Sequence, residues 1–284
     1  MSEERTKVTL RTLFAKMEGG EPITMLTCYD YPTAYFMEQA GMDMLLVGDS
    51  LGMTILGYDS TLPVTMDVMI AHAQAVRRGS PNAWLIGDMP YMTYQPSVET
   101  AIRNAGRFMA EAACDAIKLE GGAEVADRVE SIVKVGIPVM GHLGLTPQSV
   151  SALGGFRVQG RSAVQAKKIV DDARALEDAG VFSILLEMVP SRVCQLISER
   201  STVPIISLGS GPHAHGQLLI FHDMFGLYPK FTPKMARVYG NAGQIILDGI
   251  RQYVEDVITK DFPQRENWFT MKDEAFEELK GLIE

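Results

Sequence analysis

Five polar side chains stand at the ends of five short apolar runs in this chain. Four are carboxylates and one is an imidazole: Asp49, Asp88, Glu120, His142 and Glu187. If the runs are parallel strands of one closed sheet, their carboxyl ends meet and these side chains converge. Crowded carboxylates repel one another, so some must be protonated or share a cation. Oxygen ligands of this kind suit Mg²⁺, although any single acid could instead be a solvated loop residue or a helix N-cap.

Two neighbours of these acids could bind an anion. Lys118 and Glu120 are two residues apart, so in a strand both side chains point to the same face. Lys118 is then either one half of a structural ion pair or a clamp for a substrate carboxylate. Ser50 follows Asp49 and could offer its hydroxyl and backbone N–H to the same anion, or it could be an N-cap or turn serine.

The other histidines indicate less. His213, His215 and His222 could suggest Zn²⁺, but His-x-His with one distant histidine is a loose pattern, and loop or surface positions are the simpler interpretation. His72 lies in a helical stretch, where a structural role is expected. His142 ends a strand, which favours a functional role.

The elements that must position these residues follow a repeated pattern. A helical stretch ends in Gly or another small residue, and a continuous apolar run follows, which is typical of a helix leading into a buried parallel strand. The predicted strands are 23–28, 42–49, 83–88, 115–120, 137–142, 181–187, 204–207 and, least clearly, 218–221. Helical periodicity places Val164, Ile169, Ala173 and Leu176 on one buried face of the segment 162–179.

Eight alternating units predict an α/β fold, a closed (β/α)8 TIM barrel, rather than a doubly wound sheet. A helix at 9–17 precedes the first strand and two helices follow the last, so we expect one barrel domain over residues 1–284. The dinucleotide fingerprint is incomplete, because the run that begins at Gly209 and Gly211 lacks its third glycine.

Charge and composition exclude several classes of protein. The net charge of −9 argues against a nucleic-acid partner, which needs a basic face. No apolar run approaches the roughly 18 residues that span a membrane, and the N-terminus is no signal peptide. The three cysteines, Cys28, Cys114 and Cys194, have no paired spacing. A cytoplasmic protein is the expectation.

Longer sequence motifs around the strand ends resemble those of a known family. They are Leu26-Thr-Cys-Tyr-Asp30, Val47-Gly-Asp-Ser-Leu-Gly-Met53, Tyr58-Asp-Ser-Thr-Leu-Pro-Val-Thr65, Lys118-Leu-Glu-Gly-Gly122, the run from Pro138 to Ser149, the run from Gly154 to Arg161, and Leu186-Glu-Met-Val-Pro190. On these motifs, from about residue 8 to 260, the chain resembles the ketopantoate hydroxymethyltransferase family of pantothenate synthesis.

The resemblance implies a barrel of the phosphoenolpyruvate mutase and isocitrate lyase superfamily, assembled as a homo-oligomer, usually a decamer. It implies that Asp49, Asp88 and Glu120 bind Mg²⁺, with Asp49 and Asp88 also part of the substrate site. Ser50, Lys118 and His142 then bind substrate, and Glu187 is the catalytic base. The implied reaction transfers a hydroxymethyl group from 5,10-methylenetetrahydrofolate to 3-methyl-2-oxobutanoate.

Two stretches depart from the family pattern. The usual Pro-Phe-Gly-Ser-Tyr is Pro90-Tyr-Met-Thr-Tyr94 here, so Met92 replaces a glycine. His215 replaces an aspartate before Gly216-Gln217. Both positions are expected in loops near the site, where they could affect the one-carbon donor or the choice of oxo acid.

Two rival functions remain. One is an Mg²⁺-dependent aldolase or lyase of the same superfamily that acts on another 2-oxo acid with a free aldehyde. Such lyases generally carry a cysteine in a Lys-Lys-Cys-Gly word that this chain lacks, and Cys114 precedes its strand at the wrong end. The other rival, a non-catalytic barrel, predicts a damaged set of acids, whereas the set here is whole.

Overall fold

The sheet of this protein is a closed barrel of eight parallel strands in sequential order, seen in a computed structural model that describes residues 5–283. The strands are β1 (Ile23–Thr27), β2 (Met44–Val47), β3 (Trp84–Asp88), β4 (Ala116–Glu120), β5 (Val139–Gly144), β6 (Ser183–Glu187), β7 (Ile205–Leu208) and β8 (Gly216–Leu219). The predicted barrel is therefore confirmed. The eighth strand begins and ends two residues before the prediction, because Phe221 already begins a helix.

Helices surround the barrel and extend beyond it. They are α1 (Leu10–Gly19), α2 (Tyr31–Gln39), α3 (Leu51–Thr54), α4 (Met66–Gly79), α5 (Val98–Ala112), α6 (Ala126–Lys134), α7 (Val150–Leu153), α8 (Ala163–Asp178), α9 (Ser191–Ser198), α10 (Phe221–Met224), α11 (Ala242–Thr259) and α12 (Asp273–Ile283). The link from β7 to β8 is a loop rather than a helix. No helix within residues 5–283 is long and apolar enough to cross a membrane.

Local sequence explains where the outer helices begin. Ser162 caps α8: its hydroxyl accepts the Gln165 N–H, and the Gln165 side chain accepts the Ser162 N–H. This capping box satisfies two backbone donors that the helix leaves open. Of the predicted apolar face, Ile169, Ala173 and Leu176 are buried. The prediction for Val164 is wrong, because the first turn of α8 is exposed to solvent and Val164 itself is 82% exposed.

Strand alternation divides the core into two layers and positions the site. One layer fills the barrel interior, with Met44 and Leu46 of β2 among its members. The other lies between the sheet and the helices and includes Leu45 and Val47 of the same strand. The same alternation along β4 turns Ala116, Lys118 and Glu120 inward, so the apolar interior gives way to polar side chains at the carboxyl end.

Candidate active site

A cavity of about 310 Å³ opens at the carboxyl ends of the strands. The residues predicted from the sequence all line it: Asp49, Ser50, Asp88, Lys118, Glu120, His142 and Glu187. These residues lie on or directly after five strands, β2 to β6, so their convergence follows from the barrel itself. Apolar side chains, among them Leu185, Leu208 and Leu218, complete the wall.

Three carboxylates face each other on the β2, β3 and β4 side of the cavity. One oxygen of each carboxylate accepts a hydrogen bond from an N–H group. The Asp49 N–H donates to Asp88 Oδ2 over 3.0 Å, and the Gln148 backbone N–H donates to Glu120 Oε2 over 3.0 Å. The third donor is the Gln148 side-chain amide, whose Nε2 lies 2.9 Å from Asp49 Oδ2. Each acid therefore keeps one oxygen directed away from these donors.

The ammonium of Lys118 lies among these acids. Its Nζ is 2.7 Å from Asp88 Oδ1, and the side chain is almost fully buried. Burial alone would lower the pKa of Lys118, but the carboxylates of Asp88, Glu120 and Asp49 raise it above its ordinary value. Lys118 therefore remains a cation, which is the form needed to bind an anion.

One ammonium does not neutralise this group of acids. Burial, then the neighbouring Asp88 and Glu120 carboxylates, raise the pKa of Asp49 well above its ordinary value. Burial also raises the pKa of Glu120 to about 8, against the opposing effect of Lys118. Such shifts mean that the ionised acids are unstable together unless a further positive charge joins them.

The donor set fits a hard divalent cation. Glu120 Oε1 is buried and accepts no hydrogen bond from any described residue, and Asp88 Oδ1 has only the Lys118 ion pair. Within residues 5–283, no group of three or more His, Cys, Asp or Glu side chains is arranged to hold a metal ion by itself. Mg²⁺ does not need one, because it commonly binds through one or two carboxylates together with waters and substrate oxygens.

Glu187 and His142 form a second pair across the cavity. His142 Nε2 lies 3.2 Å from Glu187 Oε2, and its Nδ1 lies 3.3 Å from Lys118 Nζ. Because an ammonium can only donate, Nδ1 is the acceptor and the proton of the neutral ring is on Nε2, facing Glu187. Burial and the Lys118 charge lower the pKa of His142, which keeps this ring neutral. Burial raises the pKa of Glu187, although His142 opposes the shift.

Unusual backbone supports Glu187. Gly144 at the end of β5 has a φ of +94°, and a Cβ there would collide with the Glu187 carbonyl oxygen. Met188, directly after Glu187, has a φ of +49°, which is uncommon for a residue with a side chain. Strained backbone of this kind is found most often at functional sites, where the surrounding structure enforces it.

The remaining histidines do not line the cavity. No group of three His, Cys, Asp or Glu side chains in the described part of the chain could hold zinc. His215 Nδ1 accepts the Ile205 N–H at the amino end of β7, so the expectation that His215 lies near the site is wrong. Met92 lies in the loop after β3, at the carboxyl end of the barrel as expected, but it is 53% exposed and does not line the cavity. Its effect on the one-carbon donor or the oxo acid stays a prediction. His72 Nδ1 contacts the Tyr29 carbonyl oxygen, in line with a structural role.

Sequence reasoning missed two residues that contact the acids. Gln148 and Tyr94 both lie in loops that follow strands, and their side chains reach Asp49 and the backbone of Glu120. Gln148 lies in the motif 138–149, which carries the family resemblance. Tyr94 ends the stretch 90–94, which departs from the family pattern. A neutral amide and a phenol, however, have no strand-end spacing that marks them as part of a site.

Solved structures with this architecture define the class of the fold. Phosphonopyruvate hydrolase in complex with oxalate and Mg²⁺ superposes with a TM-score of 0.59 at 16% identity, covering 98% of this chain and 96% of that one. 2,3-Dimethylmalate lyase, a member of the phosphoenolpyruvate mutase/isocitrate lyase superfamily, gives a TM-score of 0.58 at 15% identity, covering 97% and 99%. The barrel therefore has the fold of that superfamily.

Sequence similarity identifies the family within that class. Residues 7–265 match the ketopantoate hydroxymethyltransferase family, and the chain belongs to it. The 3-methyl-2-oxobutanoate hydroxymethyltransferase of Carboxydothermus hydrogenoformans is 50% identical, over 96% of this chain and 99% of the relative. The protein of the same name from Pseudothermotoga lettingae is 52% identical, over 90% and 97%.

Proposed function

We propose that this protein transfers a hydroxymethyl group from 5,10-methylenetetrahydrofolate to 3-methyl-2-oxobutanoate, giving 2-dehydropantoate. The names of its relatives support the oxo acid and the group transferred. The observation that carries the proposal is the arrangement of the cavity. A carboxylate cluster with one lysine lies on one side, and a lone glutamate of raised pKa lies across from it.

Asp49, Asp88 and Glu120 are the residues that would hold Mg²⁺. When bound, the ion would polarise the carboxylate and keto oxygens of the oxo acid and so acidify the proton on C3. Lys118 and the Ser50 hydroxyl then bind the substrate carboxylate. Ser50 Oγ lies 2.7 Å from the Tyr29 hydroxyl, which restricts its position.

Glu187 removes the proton from C3. Its raised pKa makes it a stronger base than an exposed glutamate, and His142 orients its carboxylate. The electron pair left on C3 forms the new carbon–carbon bond to the one-carbon unit, whose hydroxyl oxygen comes from water. Tetrahydrofolate leaves, and the branched alkyl group of the oxo acid lies against the apolar wall.

The departures from the family pattern do not weaken this proposal. Met92 and His215 are both absent from the lining of the cavity. A lyase mechanism would need a catalytic cysteine near the cavity. Cys114 is buried and precedes β4 at the amino end of the barrel, away from the cavity. The aldolase or lyase alternative therefore has no specific support from the site.

A turnover assay tests the proposal. The enzyme is given 3-methyl-2-oxobutanoate and Mg²⁺, with and without methylenetetrahydrofolate, and 2-dehydropantoate is followed. Product only in the presence of the folate supports the proposal, whereas equal product with free formaldehyde alone supports the aldolase. Asp49→Asn and Asp88→Asn should each weaken Mg²⁺ binding, and Asp171→Asn on the exposed side of α8 is the control. Full activity in excess chelator would contradict the metal requirement.

We also propose that the protein is a homo-oligomer, for which the family resemblance suggests a decamer. No residue of α11 is buried, yet Ile245, Ile250 and Tyr253 are apolar and more than half exposed. Every copy carries the same apolar helix, so pairing between copies is the simplest way to cover it. Ile250→Glu should reduce the mass measured by light scattering, and Val164→Glu, on a still more exposed valine of α8, should not.

A further inference from the structure

The side chain of Gln148 uses its full capacity for hydrogen bonds. Its Nε2 donates to Asp49 Oδ2 and to the Met89 carbonyl oxygen, each over 2.9 Å. Its Oε1 accepts from the Tyr94 hydroxyl over 2.9 Å and from Gln95 Nε2 over 3.0 Å. Both of its amide protons and both carbonyl lone pairs are therefore used, which fixes the orientation of the amide.

Tyr94 anchors this amide from the β3 side. The residue is 1% exposed, and its hydroxyl shares its proton between Gln148 Oε1 and the Glu120 carbonyl oxygen, 3.0 Å away. The same hydroxyl accepts the Glu120 N–H over 3.2 Å. Tyr94 thus extends the hydrogen bonding beyond the end of β4 and ties it to Gln148.

The result is a restraint on two acids at once. The Gln148 side chain occupies Asp49 Oδ2, and the Gln148 backbone N–H occupies Glu120 Oε2. Asp49 Oδ1 and Glu120 Oε1 accept no hydrogen bond from the described residues. Each of these carboxylates is therefore held in one orientation, with one oxygen that accepts no hydrogen bond from the described residues and is open to a cation.

We propose that Gln148, held by Tyr94, is a positioning residue that makes the site selective for Mg²⁺ over Ca²⁺. The proposal rests on the function given above, in which Asp49 and Glu120 hold the ion. Mg²⁺ takes six ligands at short distances, whereas Ca²⁺ takes six to eight and accepts both oxygens of one carboxylate. Carboxylates held in a fixed orientation suit the smaller ion, which demands a strict octahedral geometry. Releasing Asp49 from the Gln148 amide lets its carboxylate turn and offer both oxygens to Ca²⁺, a binding mode that suits the larger ion.

The test is calorimetric titration of the full-length protein with Mg²⁺ and, separately, with Ca²⁺, in the absence of substrate. Gln148→Met keeps the length of the side chain and removes its hydrogen bonds. Loss of such an outer contact typically lowers metal affinity 10–100-fold, so Mg²⁺ affinity should fall by about that factor. Ca²⁺ affinity should fall much less, so the ratio of the two affinities drops about tenfold. Gln195→Met, on the outer side of α9, is the matched control and should leave both affinities unchanged.

Tyr94→Phe provides a second variant that keeps the packing of the ring. It should lower the Mg²⁺ to Ca²⁺ ratio in the same direction but by a smaller factor, because Gln95 still holds the amide. A general loss of structure would lower both affinities together and leave the ratio unchanged, and that result would overturn the proposal. If the wild type bound neither ion, the metal requirement of the proposed function would fail as well. Normal wild-type binding with an unaltered ratio in both variants would overturn only the role of Gln148.

Discussion

Acidic side chains at the two ends of the barrel differ in how many cationic partners they have. At the amino end, Asp43 forms an ion pair with Lys16 at 2.8 Å and accepts the Thr24 N–H over 2.8 Å. Asp115 there contacts both Lys7 and Arg77. At the carboxyl end, four carboxylates meet, and Lys118 is the only lysine or arginine of the described chain within ion-pair distance of them.

The pKa values follow this difference in pairing. Burial alone would raise the pKa of Glu38 at the amino end, but the Ser80 hydroxyl and the Arg5 charge lower it below its ordinary value. At the carboxyl end, burial raises the pKa of Asp49, Glu120 and Glu187. Ionised acids thus stabilise the fold at one end and oppose it at the other. Such unfavourable charge in a fold is expected where function needs it.

Neutralising an acid at the carboxyl end should lower the rate but not the stability. Glu187→Gln removes the proposed base, and a positioned base typically contributes about 10²–10⁴-fold to the rate. The loss is then roughly 3–5 kcal/mol of transition-state stabilisation. The measurement is exchange of the C3 proton of 3-methyl-2-oxobutanoate with deuterated water, in the presence of Mg²⁺ and without folate. The wild type should exchange it and the variant should not.

The stability of the same variant checks the comparison. The raised pKa means that the ionised carboxylate of Glu187 is less stable in the folded chain than in the unfolded chain. A neutral amide of the same shape should therefore unfold at the same denaturant concentration as the wild type, or higher. If the variant exchanged the C3 proton at the wild-type rate, Glu187 would not be the base, and His142 would be the nearest other candidate.

Removing the one cation of the cavity should affect the oxo acid selectively. A hydrogen bond to a charged group contributes about 1.5–3 kcal/mol, so Lys118→Ala should raise the KM for 3-methyl-2-oxobutanoate roughly 10–100-fold. The KM for the folate should change little, because the proposed contact is to the oxo-acid carboxylate. Steady-state kinetics with each substrate varied in turn gives both values. Equal increases would indicate that the ion pair with Asp88 is merely structural.

Neutralising an acid at the amino end should lower the stability but not the rate. Glu38→Gln removes the ion pair with Arg5 and weakens the hydrogen bonds from Ser80 and the Ala83 N–H. Because Arg5 is partly exposed, we expect a loss of about 1–2 kcal/mol, below the range for fully buried pairs. Urea unfolding at pH 7 measures it, and kcat should stay within twofold of the wild type.

The pH dependence of this loss gives its cause. The folded pKa of Glu38 lies below its ordinary value of 4.5, so its contribution is complete above that pH and disappears as the pH falls through the folded pKa. The difference between wild type and variant should therefore shrink below about pH 4.5. Glu99→Gln, in an exposed pair with Arg103, is the control and should stay within about 0.5 kcal/mol of the wild type at every pH. A difference that persisted at low pH would point to packing instead of charge.

Much of the fold could be predicted because buried parallel strands have a clear pattern. Runs such as Met44–Val47 are apolar without interruption and come shortly after a glycine, here Gly41. The eighth strand was predicted two residues too late in the chain, because Gly216–Leu219 has polar Gln217 exposed on its outer side and no continuous apolar run. Val164 was misplaced because periodicity defines a helical face but not how far the neighbouring elements extend along it.

The site could be predicted in part for a related reason. Strand ends converge by topology, so Asp49, Asp88 and Glu120 could be brought together without any knowledge of loops. Gln148 could not, because its position depends on how the loop after β5 folds across the mouth. His215 was misplaced because a loop between parallel strands must return to the amino end, and the residue directly before β8 lies there.

The smallest expected effect concerns the turn that leads to Tyr94. The Thr93 N–H donates to the Pro90 carbonyl oxygen over 3.2 Å, and Met92 in the third position has a φ of +64°. Turns of this type favour glycine there, because a side chain makes a positive φ unfavourable. Met92→Gly should therefore raise the free energy of unfolding by about 0.5–1 kcal/mol, the usual scale of such backbone effects.

Met92→Ala separates the backbone from the side chain. Alanine keeps the unfavourable φ and removes most of the side chain, which is 53% exposed and adds little burial. It should therefore have the stability of the wild type or less, and only the glycine variant should gain. Urea unfolding of the three proteins under one condition decides the question. Because this turn lies outside the acid cluster, kcat should be the same in all three. If alanine stabilised the protein as much as glycine, the methionine side chain and not the positive φ would be the unfavourable feature.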